Sequence, residues 1–155
     1  MRGFEVVSLN EFKKNCSEIY YEHIVLPERS TKASAGYDFS IPYDCLFAPG
    51  KIIMIYTGIK AYMPADEVLF IVIRSSTGIK LQLGLVNHVA VIDSDYYGNL
   101  ENEGHIIIAI KNNGIQDAVL SAGARFAQGI FVPYLTAYNE KAPQKNRKGG
   151  LGSTK

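Results

Sequence analysis

The chain has 155 residues, a length typical of a single domain that can bury a substantial hydrophobic core. Hydrophobic residues make up 47% of it and charged residues 20%, a composition that is normal for a soluble globular protein. The net charge of +1 gives no one-sided electrostatic field, so we expect neither nucleic acid nor a membrane surface as a partner.

The cysteines and the apolar runs indicate the cellular compartment of the protein. Cys16 and Cys45 form no CxxC motif and are too few for a disulfide framework, which fits a reducing environment. The N-terminal stretch MRGFEVVSLNEFKKN contains no apolar segment of the kind that a secretion signal has. The longest apolar runs, such as Val68 to Ile73, are too short to span a bilayer. We therefore expect a cytoplasmic protein.

The N-terminal stretch predicts one short strand and one short helix. Phe4–Val7 is the strand candidate. Ser8-Leu9-Asn10-Glu11 follows it with the S-x-x-E pattern of a capping box, and apolar residues recur after it at helical spacing. We therefore predict a helix from about Ser8 to Asn15.

The rest of the chain consists of short β-like runs separated by turn residues. The predicted strands are His23–Leu26, Tyr37–Ile41, Lys51–Tyr56, Gly58–Tyr62, Glu67–Ile73, Leu85–Ile92, Gly104–Lys111, Ala118–Leu120 and Ala124–Pro133. Glycine, proline, asparagine and aspartate lie between them, as in Ala48-Pro49-Gly50. Many short strands with regular turn signals predict an all-β sandwich or barrel.

The stretch from Gly84 to Gly98, GLVNHVAVIDSDYYG, combines a strand pattern with polar chemistry. Asn87-His88 interrupts the apolar run Leu85–Ile92 with residues that suit a tight turn, which predicts a β-hairpin. Asp93, Asp95, Tyr96 and Tyr97 follow its second arm, a set that suits a pocket which reads a ring and holds a water. The simpler interpretation is a plain hairpin with Asp93 in an Asx turn.

Two further clusters lie at the ends of predicted strands. Arg74-Ser75-Ser76-Thr77-Gly78 follows Glu67–Ile73, where a helix start beside an arginine makes an anion cradle. The simpler interpretation is a Ser/Thr helix cap with a surface arginine. Arg125-Phe126-Ala127-Gln128 begins another strand, in which alternation places Arg125 with Ala127 and Phe126 with Gln128. An ordinary edge strand would look the same.

The end of the chain differs in composition from the rest. Residues 141–155, KAPQKNRKGGLGSTK, contain five basic residues and no acidic one, and they offer little to a core. They predict either a disordered polar tail or a mobile arm that folds over an anion. We therefore divide the chain into a domain, 1–140, and a C-terminal arm, 141–155. The histidines show no ligand spacing with one another or with the cysteines, so we expect no zinc site.

Five stretches, taken together and in order, resemble the motifs of one enzyme family. They are AGYDF (Ala35–Phe39), RSSTG (Arg74–Gly78), NHVAVIDSDYYG (Asn87–Gly98), ARFAQ (Ala124–Gln128) and RKGGLGST (Arg147–Thr154). Their order and spacing are similar to those of trimeric dUTPases, over essentially the whole chain. The insertion Asn99–Gly104, NLENEG, resembles a subgroup from Gram-positive bacteria and their phages.

The resemblance implies a fold, an assembly and a reaction. The fold is a distorted jelly-roll-type β-barrel, or β-clip, with a flexible C-terminal arm. The assembly is a homotrimer with active sites at subunit junctions, where one subunit gives the first, second and fourth motifs, a neighbour the third, and the remaining chain the arm. The reaction is hydrolysis of dUTP to dUMP and pyrophosphate, with Mg²⁺ bound through the triphosphate.

The resemblance also implies residue roles, each of which suits the chemistry of the side chain. Asp93 activates the water that attacks the α-phosphorus, Asn87 helps to read uracil, and Tyr96 stacks under the deoxyribose, where a ribose hydroxyl would need space. The residues assigned to the rest of the substrate are Arg74, Ser75, Ser76, Gln128, Arg147, Ser153 and Thr154 around the phosphates and Leu151 over the base. Asp38 helps to hold the hydrated Mg²⁺ through water.

Some positions depart from the family pattern, and two other functions compete. Leu151 replaces a stacking Phe, Ala90 stands where Gly is common, and Tyr97 stands where Arg is frequent. A dCTP deaminase has the same fold and an RSS motif, but Ala109 takes the place of its catalytic Glu. A regulatory module that only binds a nucleotide is the second alternative, and the presence of Asp93 argues against it.

Overall fold

The computed structural model of the protein describes residues 1–141 and residue 150. Its strands are β1 (Gly3–Val6), β2 (Glu28–Arg29), β3 (Tyr37–Ser40), β4 (Cys45–Phe47), β5 (Ile52–Tyr56), β6 (Ile59–Tyr62), β7 (Glu67–Ile73), β8 (Leu83–Leu85), β9 (Ala90–Asp93), β10 (Ile107–Asn112), β11 (Ala118–Leu120) and β12 (Arg125–Pro133). Two short α-helices, α1 (Leu9–Phe12) and α2 (Ser75–Leu81), and two 3₁₀ helices, Glu18–His23 and Ser94–Tyr96, complete it. Within these residues no helix has the length and apolarity that a bilayer crossing requires.

The strands form antiparallel sheets, as the all-β prediction requires. The largest has five strands in the order β2-β3-β12-β7-β9, and a second has three in the order β5-β10-β8. Two two-stranded sheets, β1-β6 and β11-β4, lie beside them. The non-sequential order means that strands distant in the chain are neighbours in space, a pattern consistent with the jelly-roll-like β-clip predicted from the motifs.

The core lies between the sheets and is built from strand residues that alternate in and out. On β10, Ile108, Ile110 and Asn112 are buried, whereas Lys111 is exposed. Phe39, Leu69 and Phe126 from the five-stranded sheet join the same cluster. Each such side chain stabilises the fold by about 1.5–3 kcal/mol relative to an exposed one, so this cluster fixes the sheets that carry the polar residues.

The predicted N-terminal helix exists but is shorter than expected. It spans Leu9–Phe12, with Ser8 as N-cap, and the Ser8 Oγ accepts a hydrogen bond from the Glu11 backbone N–H at 3.1 Å. Glu11 is buried, and its carboxylate contacts His105 and Lys14. Because the Glu11 carboxylate makes these tertiary contacts, it does not complete the capping box that the sequence pattern predicts.

Three local predictions are wrong, each for a physical reason. The strand predicted at His23–Leu26 does not form, because Glu18–His23 makes a 3₁₀ helix whose last turn is closed by the Ile24 N–H. The hairpin predicted over Leu85–Ile92 does not form either. A tight turn is present, with His88 at a φ of +58°, but β8 pairs with β10 and β9 pairs with β7, so the chain crosses between sheets.

The third wrong prediction concerns the alternation at the start of β12. A register shift between Arg125 and Ala127 inserts a β-bulge, and both Phe126 and Ala127 are buried while Arg125 is exposed. A bulge adds one residue to a strand and so reverses the side-chain alternation beyond it. Arg125 and Ala127 therefore do not share a face. The sequence also missed the strand Cys45–Phe47 and the full length of the helix Ser75–Leu81.

Candidate functional site

The first part of the candidate site is a carboxylate held between two arginines. Asp38 is only 8% exposed, and its Oδ1 lies 3.0 Å from Nε of Arg74. Its Oδ2 accepts a hydrogen bond from the Ser30 hydroxyl at 2.6 Å and lies 3.4 Å from Nη1 of Arg125. Because two guanidinium groups share one carboxylate, this cluster keeps a net positive charge and has N–H donors suited to an anion.

The pairing of three strands brings these residues together. In register, Gln128 on β12 lies opposite Asp38 on β3 and opposite Val72 on β7. Arg74 comes directly after β7, and its backbone N–H donates to the Phe126 carbonyl at 3.0 Å. The first, second and fourth sequence motifs therefore meet at one end of the five-stranded sheet.

Helix α2 begins at this cluster. Arg74 is its N-cap residue, and the exposed Ser75 and Ser76 lie in the first turn, while Thr77 is buried. The Arg74 side chain contacts Asp38 and the Arg125 carbonyl, so it does not cap the helix. Ser75 and Ser76 therefore follow the arginine at the start of the helix, and their role in an anion cradle stays a prediction.

The second part of the candidate site is a pocket of about 120 Å³ beside the turn between β8 and β9. Asn87, Asp93 and Tyr96 line it together with apolar side chains from β9 and β10. Asp93 ends β9 and is half-buried, whereas Asn87 in the turn is exposed. The pocket thus combines an amide, a carboxylate and an aromatic ring, which suits a small heterocyclic ligand.

Tyr96 forms a wall of this pocket and is held at its far end. It is 8% exposed, and its hydroxyl donates to the His105 carbonyl at 2.8 Å and accepts from Nδ2 of Asn102 at 2.7 Å. Gly150 also lines the pocket, so close that a Cβ atom there would lie 2.9 Å from Cε2 of the Tyr96 ring. Only a residue without a side chain fits against the ring at this point.

The two parts lie far apart within one chain. Asp93 is in register with Val68 on β7, whereas Arg74 lies six residues further along the same strand direction. At about 3.3 Å per residue, this places the two residues roughly 20 Å apart. A single chain therefore does not bring Asp93 to the arginine cluster.

The described residues contain no group of three or more His, Cys, Asp or Glu side chains that could hold a metal ion. Asp38 also does not fit as a direct ligand, because its two oxygens already contact Arg74, Arg125 and Ser30. A cation here has to come with the oxygens of a ligand such as a polyphosphate, as is usual for Mg²⁺.

Four predicted site residues, Arg147, Leu151, Ser153 and Thr154, lie outside the described residues, as does most of the arm. The structure also adds residues that the sequence interpretation left out. Arg125 was visible in the fourth motif, but the wrong alternation hid its contact with Asp38. Nothing in the sequence signalled Ser30, Asn102 or His105.

The chain is similar to dUTPases both in sequence and in structure. The dUTPase family model matches residues 22–155. The deoxyuridine 5'-triphosphate nucleotidohydrolase of Lactococcus lactis subsp. lactis (strain IL1403) is 45% identical over 155 residues, covering 99% of this chain and 97% of that protein. The crystal structure of a dUTPase from Streptococcus mutans has a TM-score of 0.73 and 41% identity, covering 87% of this chain and 98% of that one.

A more distant likeness supports the fold alone. A mutant dUTPase from phage phi11 of S. aureus, whose structure details the coordination of a structural Mg(II) ion, has a TM-score of 0.70 and 21% identity. It covers 91% of this chain and 95% of that one. Since a family model matches most of the chain and a close relative matches nearly all of it, the chain belongs to the dUTPase family.

Proposed function

We propose that the protein hydrolyses dUTP to dUMP and pyrophosphate. The observation that carries the proposal is family membership together with two complementary half-sites, a pocket with a carboxylate and a ring, and a cluster of arginines. The first suits a nucleoside and an attacking water, and the second suits a polyphosphate. Removal of uracil nucleotides from the DNA precursor pool and supply of dUMP are the consequences.

In this proposal the pocket binds the nucleoside. Asp93 accepts a proton from a water that attacks the α-phosphorus, and the water oxygen replaces the bond to the bridging oxygen of pyrophosphate. Asn87 and the backbone of the turn bind the uracil edge, so that the wrong base leaves buried polar groups unpaired. Tyr96 lies against the deoxyribose and leaves no room for a 2′-hydroxyl.

The arginine cluster binds the phosphates. Arg74 presents its guanidinium beside Ser75 and Ser76 at the start of α2, and Gln128 lies on the adjacent strand. Asp38 orients Arg74 through the 3.0 Å contact at Nε, which leaves the Nη groups to face the ligand or the Arg125 carbonyl. Asp38 as a water-mediated Mg²⁺ ligand stays a prediction.

We treat Mg²⁺ as part of the substrate. The proposed substrate is the magnesium complex of dUTP, in which phosphate oxygens and waters supply the ligands. Arg147, Ser153 and Thr154 on the phosphates and Leu151 over the base complete the proposed contacts.

We propose that the active form is a homotrimer. The strand register separates the backbones of Asp93 and Arg74 by roughly 20 Å, so the pocket and the arginine cluster are separate surfaces of one chain. A second copy of the chain supplies the missing half. Three valines near the pocket, Val86, Val89 and Val91, are 44%, 42% and 56% exposed, an apolar surface that a neighbouring subunit can cover.

The cytoplasm is the proposed compartment, since Cys16 and Cys45 are free and dUTP is an intracellular substrate.

Release of pyrophosphate tests the function directly. The protein is incubated with Mg²⁺ and dUTP, and separately with dCTP, dTTP and UTP. We expect rapid release from dUTP and far slower release from the others. Ammonia release from dCTP would instead support the deaminase alternative, although Ala109 on β10 has no group that transfers protons. Tight nucleotide binding without any product would favour a regulatory module.

A further inference from the structure

The insertion Asn99–Gly104 folds into a compact loop of its own. Asn99 is 7% exposed, and its side-chain oxygen accepts from the N–H groups of Glu101 at 3.0 Å and Asn102 at 3.1 Å. The Asn99 Nδ2 donates to the Tyr96 carbonyl at 2.8 Å, and the Gly98 N–H donates to the Glu103 carbonyl at 2.9 Å. The loop is therefore held closed by its own polar groups and is bonded back to the segment that precedes it.

The last residue of the loop, Gly104, lies very close to the backbone of Tyr96. Gly104 has a φ of +86°, and a Cβ atom there would lie 2.7 Å from the Tyr96 carbonyl oxygen. Its N–H donates to Oδ1 of Asn102 at 3.1 Å. A glycine is required here both for the backbone conformation and for the close approach, so the geometry between Asn102 and Tyr96 is fixed by the backbone.

The loop is also attached to the N-terminal part of the domain. The backbone N–H of Ser8 donates to the Glu103 carboxylate at 3.0 Å, and the Ser8 hydroxyl donates to the same carboxylate. Lys60 lies 3.5 Å from it. The Lys14 ammonium group donates to the Glu101 carbonyl at 2.9 Å. These contacts join the loop to α1 and β6, so it does not move independently of the domain.

The Tyr96 hydroxyl is the point where this rigid loop reaches the pocket. It accepts from Asn102, and it donates to the carbonyl of His105, whose ring is fully buried. The other end of the Tyr96 ring is fixed by its backbone in the 3₁₀ helix Ser94–Tyr96. These contacts hold the ring at both ends and oppose a tilt.

Discrimination against ribose, which has one oxygen atom more than deoxyribose, depends on a rigid pocket wall. A ribose 2′-hydroxyl is excluded only if the wall that faces it does not retreat by about 1 Å, a displacement large enough to change rates in an active site. We propose that Asn102, in the insertion, is a positioning residue that holds Tyr96 in place and so sets the preference for deoxyribose over ribose. This proposal rests on the proposed function and adds a specificity role for a residue distant from the reacting atoms.

The first measurement is the ratio of kcat/KM for dUTP to that for UTP in the wild-type protein and in Asn102→Ala. We expect this ratio to fall about five- to tenfold, the size of one net hydrogen bond. The change should appear mainly as a lower KM for UTP, with kcat for dUTP little changed. Leu100→Ala is the matched control, because Leu100 lies in the same loop and its side chain is 96% exposed.

Tyr96→Phe separates positioning from loop stability. This variant removes the hydrogen bonds of the hydroxyl to His105 and Asn102 and leaves the loop and Asn102 intact. We expect a loss of discrimination at least as large as in Asn102→Ala, and we expect Asn102→Ala to cause no additional loss when it is combined with Tyr96→Phe. A ratio that stays at the wild-type value in Tyr96→Phe would overturn the proposal, even if Asn102→Ala fails to fold.

Two other outcomes also decide the matter. If the effects of Asn102→Ala and Tyr96→Phe on the ratio are additive, Asn102 does not act through the tyrosine hydroxyl, and the proposal is wrong. If Asn102→Ala lowers only the melting temperature, Asn102 serves loop stability alone, which also overturns it. Failure of the wild-type protein to hydrolyse dUTP would contradict the proposed function, and this result is separate because it is measured before any variant.

Discussion

Mixing two inactive variants should restore activity if each site is shared between copies. Asp93→Asn lacks the proposed base, and Arg74→Ala lacks a proposed phosphate ligand. The strand register places the backbones of these residues roughly 20 Å apart in one chain, and in the proposed trimer a complete site takes them from two chains. A trimer that contains both variants can therefore contain sites in which neither substitution is present.

The expected activity of the mixture follows from the fraction of sites in which both residues are intact. In a random equal mixture, half of the chains retain Arg74 and the other half retain Asp93. A site takes the two residues from different chains, so both are intact at about a quarter of the sites. We expect about a quarter of the wild-type kcat after the two variants are co-refolded or co-expressed with different tags, with each parent alone nearly inactive.

A matched pair of variants provides the control. Arg74→Ala and Gln128→Ala both affect the arginine cluster, where Gln128 lies beside Asp38 in register. Every site takes both residues from the same chain, so mixing these variants should restore nothing. Activity of the Asp93→Asn and Arg74→Ala mixture that equals only the mean of its parents would refute the shared site. Light scattering of the same samples checks that mixed trimers have formed.

Three further predictions concern single residues. Asp93→Asn should lower kcat by about 10²–10⁴ with binding of a non-hydrolysable dUTP analogue retained, and a normal kcat would mean that another group takes the proton. Leu151→Phe should tighten binding of that analogue by up to about tenfold, since a ring stacks on the base, and calorimetric titration that shows no gain would place Leu151 elsewhere. Burial lowers the pKa of His105 below its usual 6.5. Below pH 6.5 the unfolded chain therefore binds more protons than the folded one, and the free energy of unfolding should fall by at most about 1.4 kcal/mol per pH unit as the pH is lowered. Urea midpoints between pH 8 and 5 measure this, and an unchanged slope in His105→Gln would contradict it.

The sequence predicted well those elements whose signal is local. Glu67–Ile73 and Ala118–Leu120 have the predicted bounds, because an apolar run bounded by turn residues defines a short strand by itself. The motif stretches also indicated the family, and they contain Asp38, Arg74, Asn87, Asp93 and Tyr96, which lie in the two parts of the candidate site. Family resemblance provided this part, since each motif alone is compatible with an ordinary turn or helix cap.

The sequence could not predict features that depend on distant partners. Whether the arms of a tight turn pair with each other is decided by neighbouring strands, and β8 and β9 join different sheets. The bulge after Arg125 depends on how β12 meets β3. His105 and Glu11 are separated by 94 positions, and only the folded domain brings them within 3.4 Å.

The charges of the two half-sites suit the role proposed for the basic residues of the C-terminal segment, 141–155. At the arginine cluster, Asp38 offsets one of the two guanidinium groups, and the pocket adds the carboxylate of Asp93. The described residues of a combined site thus provide no excess of positive charge, whereas a nucleoside triphosphate is strongly anionic. In the proposed reaction, the Mg²⁺ of the substrate complex and residues 141–155, with five basic side chains and no acidic one, supply the neutralising charge. On this proposal we expect a nucleoside triphosphate to recruit residues 141–155 and a nucleoside without phosphates to leave them unbound.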